Sequence, residues 1–442
     1  MMHVHGAWCT VPGALHSVPM SSWAKRVLVV AAILTLAIAA QQRHRVVLKL
    51  ADPSGGHIND FDRWMIMIPQ FLHDRADYLD DLFPMPPVGL ILLAPLTVFS
   101  RPNAQFLWIC AKLPLAYLAY VLVNRLVLAS GARLSDRAAG LILACWWLPI
   151  VLDMQQGQVN FLVLLPLVAA LMLAQREDPV ADSLAGLLIG LAGAVKVTPL
   201  IFAVYFFWKR RWILALAAAV SLGVWLVVIP SAAFGWAQNS RWLSQWADIM
   251  IVPYVTRGEV LYPMSQSFGS FMLRLLTPLA IFETADAGVP FGHYMNIVQL
   301  SERAVSAMVV PFMVGVALAG LWWTRQRLAT LKCRRYLVEV GGVTAFMLWF
   351  SERTWVHHYV SFLLTLCAAG VVLSDAAPGD RIDRLVQRSL LVFAGVTVWA
   401  SDAGRLFGRH GVEWAQALGV FLWPSVVVTI AMIWGAHAQS GQ

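Results

Sequence analysis

Long apolar runs separated by short polar segments dominate the pattern of this chain. Many of these runs approach the roughly 20 residues that a helix needs to cross a bilayer. The predicted spans cover residues 24–41, 104–124, 138–154, 160–175, 212–234, 304–324, 337–351, 357–374, 389–407 and 412–434. Polar and apolar residues do not alternate along them, as they would in an outer-membrane barrel. The pattern therefore predicts an all-α, polytopic integral membrane protein.

Residues 183–208 require a different interpretation. A single span here would place the basic segment Lys209–Arg211 on the opposite side and invert every later loop. Proline lacks an N–H and restricts the residue before it, so Pro199 favours a break near Lys196. We predict two short helices, 183–194 and 198–208, that form a hairpin beside a wet cavity, because irregular backbone at that depth needs such a setting. The chain then has about 10–12 membrane helices.

The distribution of cations predicts the orientation. With a cytoplasmic N-terminus and a retained first span, the short inner segments carry 17 of the 32 Lys and Arg residues, in line with the positive-inside rule. Two long stretches then lie outside, a first outer loop at 42–103 and a large outer loop at 235–303. Within the first, 61–72 and 88–99 are predicted to be helices at the outer interface. The whole chain, 1–442, is predicted to be one domain in the inner (plasma) membrane.

Composition narrows the class of protein further. Hydrophobic residues make up 59% of the chain and charged residues 13%, which excludes a soluble domain. The net charge of +8 is assigned to topology, so no nucleic-acid partner is expected. The five cysteines have no paired spacing. Neither a disulfide framework nor a metal site is therefore predicted, and no internal repeat is visible.

Four polar clusters are predicted to meet at the outer face. Each has an ordinary structural interpretation as a solvated loop acid, a helix cap, a snorkelling lysine or interfacial histidines. Their convergence at one face is harder to explain in that way and favours a functional site. The clusters are Asn59–Asp62, Gln156–Asn160, the break at Lys196, and Ser351–His358.

The residue types in these clusters suit the transfer of a sugar. A carboxylate such as Asp60 can take the proton of an acceptor hydroxyl. Cations and donors can stabilise a leaving phosphate, and the candidates are Lys196, Arg353, His357 and His358. A nucleotide-sugar donor would call for a cytoplasmic domain with a metal-binding acidic pair, and none fits between the spans. The pattern therefore favours a lipid-phosphate-linked sugar, which would be used at the outer (periplasmic) face.

Several segments together resemble glycosyltransferase family 87 of the GT-C superfamily. This family includes polyprenyl-phosphate-mannose-dependent α-mannosyltransferases. Its central signature resembles Gly157–Asn160, Leu184–Ala192, Val195–Pro199 and Lys209–Trp212. Asp60-Phe61 resembles its first-loop Asp motif, Met85–Pro87 its Tyr-Pro-Pro, and Ser351–His358 its Ser-x-x-x-Trp-x-His-His. The resemblance covers about residues 55–370.

The resemblance implies a GT-C fold and particular roles for these residues. Asp60 would be the catalytic base, with Asp62 as the nearby alternative. The implied donor-binding residues are Gln158, Asn160, Lys196, Arg353, His357 and His358, and Lys112 is a further candidate site residue. Gln266 lies in a segment that resembles the family's Asn-Gln-Ser segment, to which we assign acceptor or sugar binding. Met85 stands where the family has Tyr, and Ser265 stands where it has Asn.

The implied reaction moves a sugar, mannose foremost, from a polyprenyl-phosphate donor to a hydroxyl of a glycolipid or glycan, with inversion and no cofactor. Another lipid-linked sugar such as arabinofuranose stays open. A secondary transporter or lipid flippase is the alternative from a different class, and it would be favoured by broken helices in two matching halves. One break is predicted here, near Lys196. A non-catalytic assembly subunit is a third alternative, against which an intact Asp60 and the His357–His358 pair argue.

Overall fold

The computed structural model describes residues 22–52, 56–74, 77–78, 83–253, 264–286, 289–351 and 353–440. Glu352, part of the predicted Ser351–His358 cluster, lies outside the described residues. Within the described ranges the chain is helical apart from one antiparallel β-hairpin, in which Phe282 pairs with His293. The predicted all-α class is confirmed.

The order of elements follows the hydropathy pattern closely. The first seven helices are α1 Ser22–Leu50, α2 Asp60–Asp74, α3 Pro87–Leu93, α4 Arg101–Ala129, α5 Asp136–Gln156, α6 Asn160–Ala174 and α7 Pro179–Val195. The next elements are α8 Leu200–Trp208, α9 Trp212–Gly223, α10 Ile229–Phe234, α11 Trp236–Met250, α12 Phe268–Leu276, β1 Phe282–Asp286 and β2 Val289–His293. The last are α13 Glu302–Trp323, α14 Arg334–Trp349, α15 Leu363–Asp375, α16 Arg381–Thr397, α17 Gly411–Ala417 and α18 Leu422–Ser440.

Six helical stretches of the described residues are long and apolar enough to cross a membrane, and α17 with α18 adds a seventh if that pair, bent by 43°, counts as one span. The six are Arg26–Leu50, Arg101–Ala129, Asp136–Gln156, Trp212–Phe234, Glu302–Trp323 and Val356–Asp375. The predicted number of 10–12 is reached only by adding α6, α7, α14 and α16. These have 15 to 17 residues, so each is about 22–26 Å long, less than a bilayer core of about 30 Å.

The predicted hairpin is present, although α7 begins at Pro179 rather than at 183. Lys196 follows the end of α7, and its Nζ donates a hydrogen bond to Asn160 Oδ1 at 2.6 Å. Lys209 follows the end of α8, and its Nζ donates to the carbonyl oxygen of Thr324 at 2.6 Å. Because Asn160 begins α6 and the other end of α6 contacts Arg211, the two lysines lie at opposite ends of the bundle.

Two glycines allow α7 to pack closely against α9. A Cβ atom on Gly186 would lie 2.3 Å from the carbonyl oxygen of Leu214, and one on Gly190 would lie 2.5 Å from that of Ala218. Small residues four positions apart let two membrane helices approach closely, where van der Waals contact holds them together. This contact fixes α7, and with it the break at Lys196.

The first-loop helices form a layer over one end of the bundle. Buried aromatic residues of α2 pack against α11, with the rings of Phe71 and Trp242 in edge contact at 5.6 Å. Helix α3 is short and mostly buried. Neither helix is long enough to span, as predicted. Helix α1 runs to Leu50, so the helix continues beyond residue 41, where the first outer loop was predicted to begin.

The C-terminal region departs from the predicted spans 389–407 and 412–434. Helix α16 ends at Thr397, and short 3₁₀ turns follow at Val398–Ala400 and Asp402–Phe407. A second break separates α17 from α18 around Gly419, which has a φ of +75° that suits glycine. The expectation of one break was therefore wrong. The breaks differ in form, because the first reverses the chain whereas the second bends it by 43°.

Candidate functional site

A cavity of about 1470 Å³ lies at the end of the bundle where α5 and α7 stop and α2 and α6 begin. Polar residues from all four predicted clusters line it together. They include Asp60, Gln158, Asn160, Lys196, Arg353, His357 and His358. The structure thus brings together the predicted catalytic base and every predicted donor-binding residue.

Asp60 lies in the first turn of α2, where a negative charge is favoured by the helix dipole. Asn59 fixes this helix end, because its Oδ1 accepts from the Asp62 backbone N–H at 3.0 Å and its Nδ2 donates to the Gln155 carbonyl at 2.8 Å. The Asp60 carboxylate accepts a hydrogen bond from Gln158 and lies 3.3 Å from Arg63 Nη2. One third of its side chain is exposed, so a substrate can reach it.

Gly157 places Gln158 beside Asp60. It ends α5 with a φ of +69°, and a Cβ atom there would lie 2.2 Å from Cβ of Phe61. Both the backbone conformation and the lack of space therefore require glycine. This close approach lets the Gln158 side chain reach the carboxylate of Asp60, the residue before Phe61.

Asn160 connects three parts of the site. Its Nδ2 donates to Asp153 Oδ2 at 2.8 Å and to the His357 carbonyl oxygen at 3.0 Å. With both amide hydrogens used in this way, its Oδ1 faces Lys196 and accepts from Nζ at 2.6 Å. The side chain therefore positions Lys196 relative to the histidine segment.

Lys112 and Asp153 form a fully buried ion pair beneath this network. Lys112 Nζ also donates to the backbone carbonyls of Asp153 at 2.8 Å and Gln158 at 2.6 Å. Neither side chain lines the cavity, so the structure places the candidate Lys112 in a supporting position. Sequence reasoning missed Asp153, although a carboxylate inside an apolar run was a usable signal.

The two histidines lie in the 3₁₀ turn Val356–Phe362. The backbone N–H of Trp355 donates to His358 Nδ1 at 3.2 Å. In a neutral ring this leaves the proton on Nε2, which can then donate to an anion. The His357 ring stacks on Trp355 and faces His358 edge-on at 4.6 Å. Its Nε2 is buried and has no hydrogen-bond partner among the described residues.

Two other candidates hold the structure together. Asp62 is buried and accepts from Arg101 Nε at 2.9 Å and Nη2 at 2.8 Å, so it ties α2 to α4. The buried Gln266 donates to the Gln416 carbonyl at 2.7 Å and accepts from the Phe421 N–H at 3.2 Å. Neither lines the cavity. Arg353 does line it, and its guanidinium contacts the Met250 sulfur.

Part of the cavity wall was not predicted from the sequence. Between α16 and α18 the chain contributes Asp402, Arg405, Arg409, His410, Glu413 and Gln416. This region had been assigned to two spans and a short connection. The signal was a cluster of charged residues between two apolar runs. In the part of the chain that the structure describes, no three His, Cys, Asp or Glu side chains converge as metal ligands would.

The fold and the cavity define the class as a multi-pass helical membrane protein in which a carboxylate, a lysine and two histidines face one cavity. A model of glycosyltransferase family 87 matches residues 83–351, more than half of the chain. The chain belongs to this family. The resemblance predicted from the residues is therefore confirmed, and the protein is a glycosyltransferase enzyme.

One similar protein is the polyprenol-phosphate-mannose-dependent α-(1-2)-phosphatidylinositol pentamannoside mannosyltransferase of Mycolicibacterium smegmatis. It is 32% identical over 172 residues, which cover 36% of this chain and 40% of the relative. The similarity thus spans less than half of the relative's length. Among solved structures, ArnT from Cupriavidus metallidurans bound to undecaprenyl phosphate matches 95% of this chain and 79% of its own, with a TM-score of 0.40 and 14% identity.

Proposed function

We propose that this protein transfers a sugar, mannose foremost, from a polyprenyl-phosphate donor to a hydroxyl of a glycolipid or glycan, with inversion. The observation that supports this most is how Asp60 and Lys196 are held. Gln158 binds Asp60, and Asn160, two residues later, binds Lys196. Two residues span at most about 7 Å, so a base and a cation flank one short segment of the cavity wall.

The charges suit a single displacement. Asp60 takes the proton of the acceptor hydroxyl as its oxygen forms a bond to the anomeric carbon of the donor. The bond from that carbon to the phosphate oxygen breaks, and the lipid phosphate leaves with the electron pair. Lys196 Nζ and His358 Nε2–H stabilise the charge on the phosphate. Asp60 then loses its proton to water, and a single displacement inverts the anomeric carbon.

The identity of the donor rests on family membership and on the relative from Mycolicibacterium smegmatis, which is a polyprenol-phosphate-mannose-dependent enzyme. The site differs from the family pattern at Met85, which is buried and lines the cavity. A thioether cannot donate a hydrogen bond as a tyrosine hydroxyl can. We expect the substrate group at this position to be bound through apolar contact.

We further propose that the cavity opens to the outside of the plasma membrane. The cavity lies at the opposite end of the bundle from Lys209, whose Nζ donates to the carbonyl of Gln326 in the basic loop 325–335. That loop carries five cations and is expected to be cytoplasmic. A reporter active only in the cytoplasm, fused within this loop, should be active. Activity only with an external reporter would reverse the orientation.

The function is tested with the purified full-length protein in lipid vesicles. Isotope-labelled polyprenyl-phosphate-mannose and a membrane lipid extract are added, and products are identified by mass spectrometry. We expect a labelled hexose on an acceptor, with release of polyprenyl phosphate, and loss of both in Asp60→Asn. Movement of the intact donor across the vesicle without any product would instead support a transporter.

A further inference from the structure

The cavity has a second group of charged residues, two of them arginines, on a closed loop. The rim loop, residues 402–410, is held at its base by two glycines in contact, because a Cβ atom on Gly411 would lie 1.9 Å from the carbonyl oxygen of Gly404. Gly408 has a φ of +106°, and its carbonyl accepts from the Gly411 N–H at 3.0 Å. These contacts give the rim loop a defined backbone conformation.

The rim loop carries two kinds of side chain. Arg405 and Arg409 line the cavity. Between them, Leu406 is 80% and Phe407 69% exposed, and Phe407 packs on Trp399 with ring centroids 4.2 Å apart. Exposed leucine and aromatic residues beside arginines are typical of a segment at a membrane interface, where apolar groups enter the acyl region and cations meet headgroups.

The two arginines of the rim loop make no strong ion pair with the described residues of the protein. Arg405 lies 3.3 Å from Asp402, but both side chains are mostly exposed, and such pairs contribute little. Arg409 has no hydrogen bond or ion pair with any residue that the structure describes. The donor phosphate already has Lys196 and His358 on another part of the wall. The same wall also carries Asp402, which lies beside Arg405, and Glu413, which lies 4.0 Å from His410. Arg409 has no such carboxylate partner among the described residues, so with Arg405 beside it this loop suits a second anion.

We propose that the rim loop binds the acceptor and that this acceptor is an anionic lipid. This rests on the proposed function and narrows its acceptor class. Arg405 and Arg409 hold the negative charge of the headgroup, while Leu406 and Phe407 enter the acyl region beside the lipid chains. The headgroup then extends into the cavity, and one of its hydroxyls reaches Asp60. A water-soluble glycan would gain nothing from the exposed Leu406 and Phe407.

The proposal is tested by lipid retention in native mass spectrometry of the full-length protein. Phosphatidylglycerol and phosphatidylcholine are the probes. In Arg405→Gln/Arg409→Gln we expect about 30-fold less retention of phosphatidylglycerol, because each of the two cations removed contributes on the order of 1 kcal/mol near a surface. We expect no change for phosphatidylcholine. Arg405→Lys/Arg409→Lys should keep most of the retention. Arg325→Gln/Arg327→Gln, with the same charge loss at exposed positions far from the cavity, should equal the wild type.

Three outcomes would overturn the proposal. Equal retention of phosphatidylglycerol by the wild type and the Arg405→Gln/Arg409→Gln variant would show that the rim loop binds no anionic lipid. Equal binding of glycerol 3-phosphate and phosphatidylglycerol would show that the apolar side chains contribute nothing. Selective loss of undecaprenyl phosphate, with phosphatidylglycerol unchanged, would assign the loop to the donor.

Retention does not require catalysis, so these results are separate from failure of the proposed function, which would appear as a wild type that transfers no sugar. In the transfer assay, the Arg405→Gln/Arg409→Gln variant should raise KM for the lipid acceptor with little change in kcat. A fall in kcat alone would contradict an acceptor-binding role.

Discussion

The two ends of the helix bundle differ in whether charged side chains are left facing a cavity, although buried ion pairs such as Lys112 with Asp153 occur at the cavity end as well. At the end opposite the cavity, Glu339 is fully buried and lies 2.7 Å from Lys209 and 3.1 Å from Arg335, and it accepts from the Tyr205 hydroxyl at 2.8 Å. At the cavity end, Lys196 donates to one neutral amide in the described part of the chain, and Asp60 stays partly exposed.

This difference distinguishes charges that stabilise the fold from charges that remain available to a ligand. Asp182 with Arg211 and Asp383 with Arg137 repeat the paired arrangement and join helices that are distant in sequence. A buried charge needs such partners, because desolvation is costly. At the cavity end the side-chain partner of Lys196 is the neutral amide of Asn160, so its charge is available to the proposed donor phosphate. The following variants test this distinction.

The largest effect is expected for Asp60→Asn, which keeps the shape of the side chain and removes its basicity. General acid–base groups contribute roughly 10²- to 10⁴-fold, so kcat should fall by about that factor while donor binding changes little. Steady-state kinetics and donor titration measure the two. Asp62→Asn is the comparison, and we expect it to lower thermal stability more than turnover because it breaks the contact with Arg101. The reverse pattern would move the base to Asp62.

Lys112→Met should destabilise the protein by about 3 kcal/mol, because it leaves the buried Asp153 carboxylate unpaired. Adding Asp153→Asn removes the unpaired charge, and the side-chain oxygen of the new asparagine can still accept the hydrogen bond from Asn160. The double variant should therefore regain most of the lost stability. Thermal unfolding in detergent measures both variants. The double variant should also keep a donor KM within a few-fold of the wild type. A large rise in KM despite recovered stability would make Lys112 a donor contact.

Lys196→Ala and Lys209→Ala compare lysines at the two ends directly. Hydrogen bonds to charged groups contribute about 1.5–3 kcal/mol, so Lys196→Ala should raise the donor KM roughly 10- to 100-fold in a folded protein. Lys209→Ala should lower thermal stability and leave the KM of the folded fraction nearly unchanged. If both variants only lost stability, the proposed difference between the two ends would be wrong.

The smallest effect is expected for chelation. A leaving monophosphate can be held by Lys196, Arg353 and the histidines, so transfer should persist in excess chelator. Assays with and without the chelator, followed by addition of single divalent ions, measure this. Loss of transfer that one ion restores would contradict the expectation.

The sequence by itself determined the helical class, the hairpin at Lys196 and the polar clusters that would meet. The physical reason is that a bilayer forces each spanning segment to satisfy its own backbone hydrogen bonds. Apolar runs therefore mark helices, and an unusual Lys or Pro within them is visible. The sequence did not mark the ends of α16 and α17, because the flanking apolar stretches predicted two long spans that took in charged residues such as Asp402 and Glu413. The turns at this place depend on Gly404 packing against Gly411, a contact that the sequence pattern does not show.

Only the tertiary structure decided which charges face the cavity. Asp60 and Asp62 are two positions apart, about 200° around a helix, and the direction that each takes depends on where Gln158 and Arg101 lie. Lys112 and Lys196 are both lysines within apolar surroundings, yet one is paired with a carboxylate and the other is not. An ion pair requires a partner within about 4 Å, and here that partner comes from a distant part of the chain.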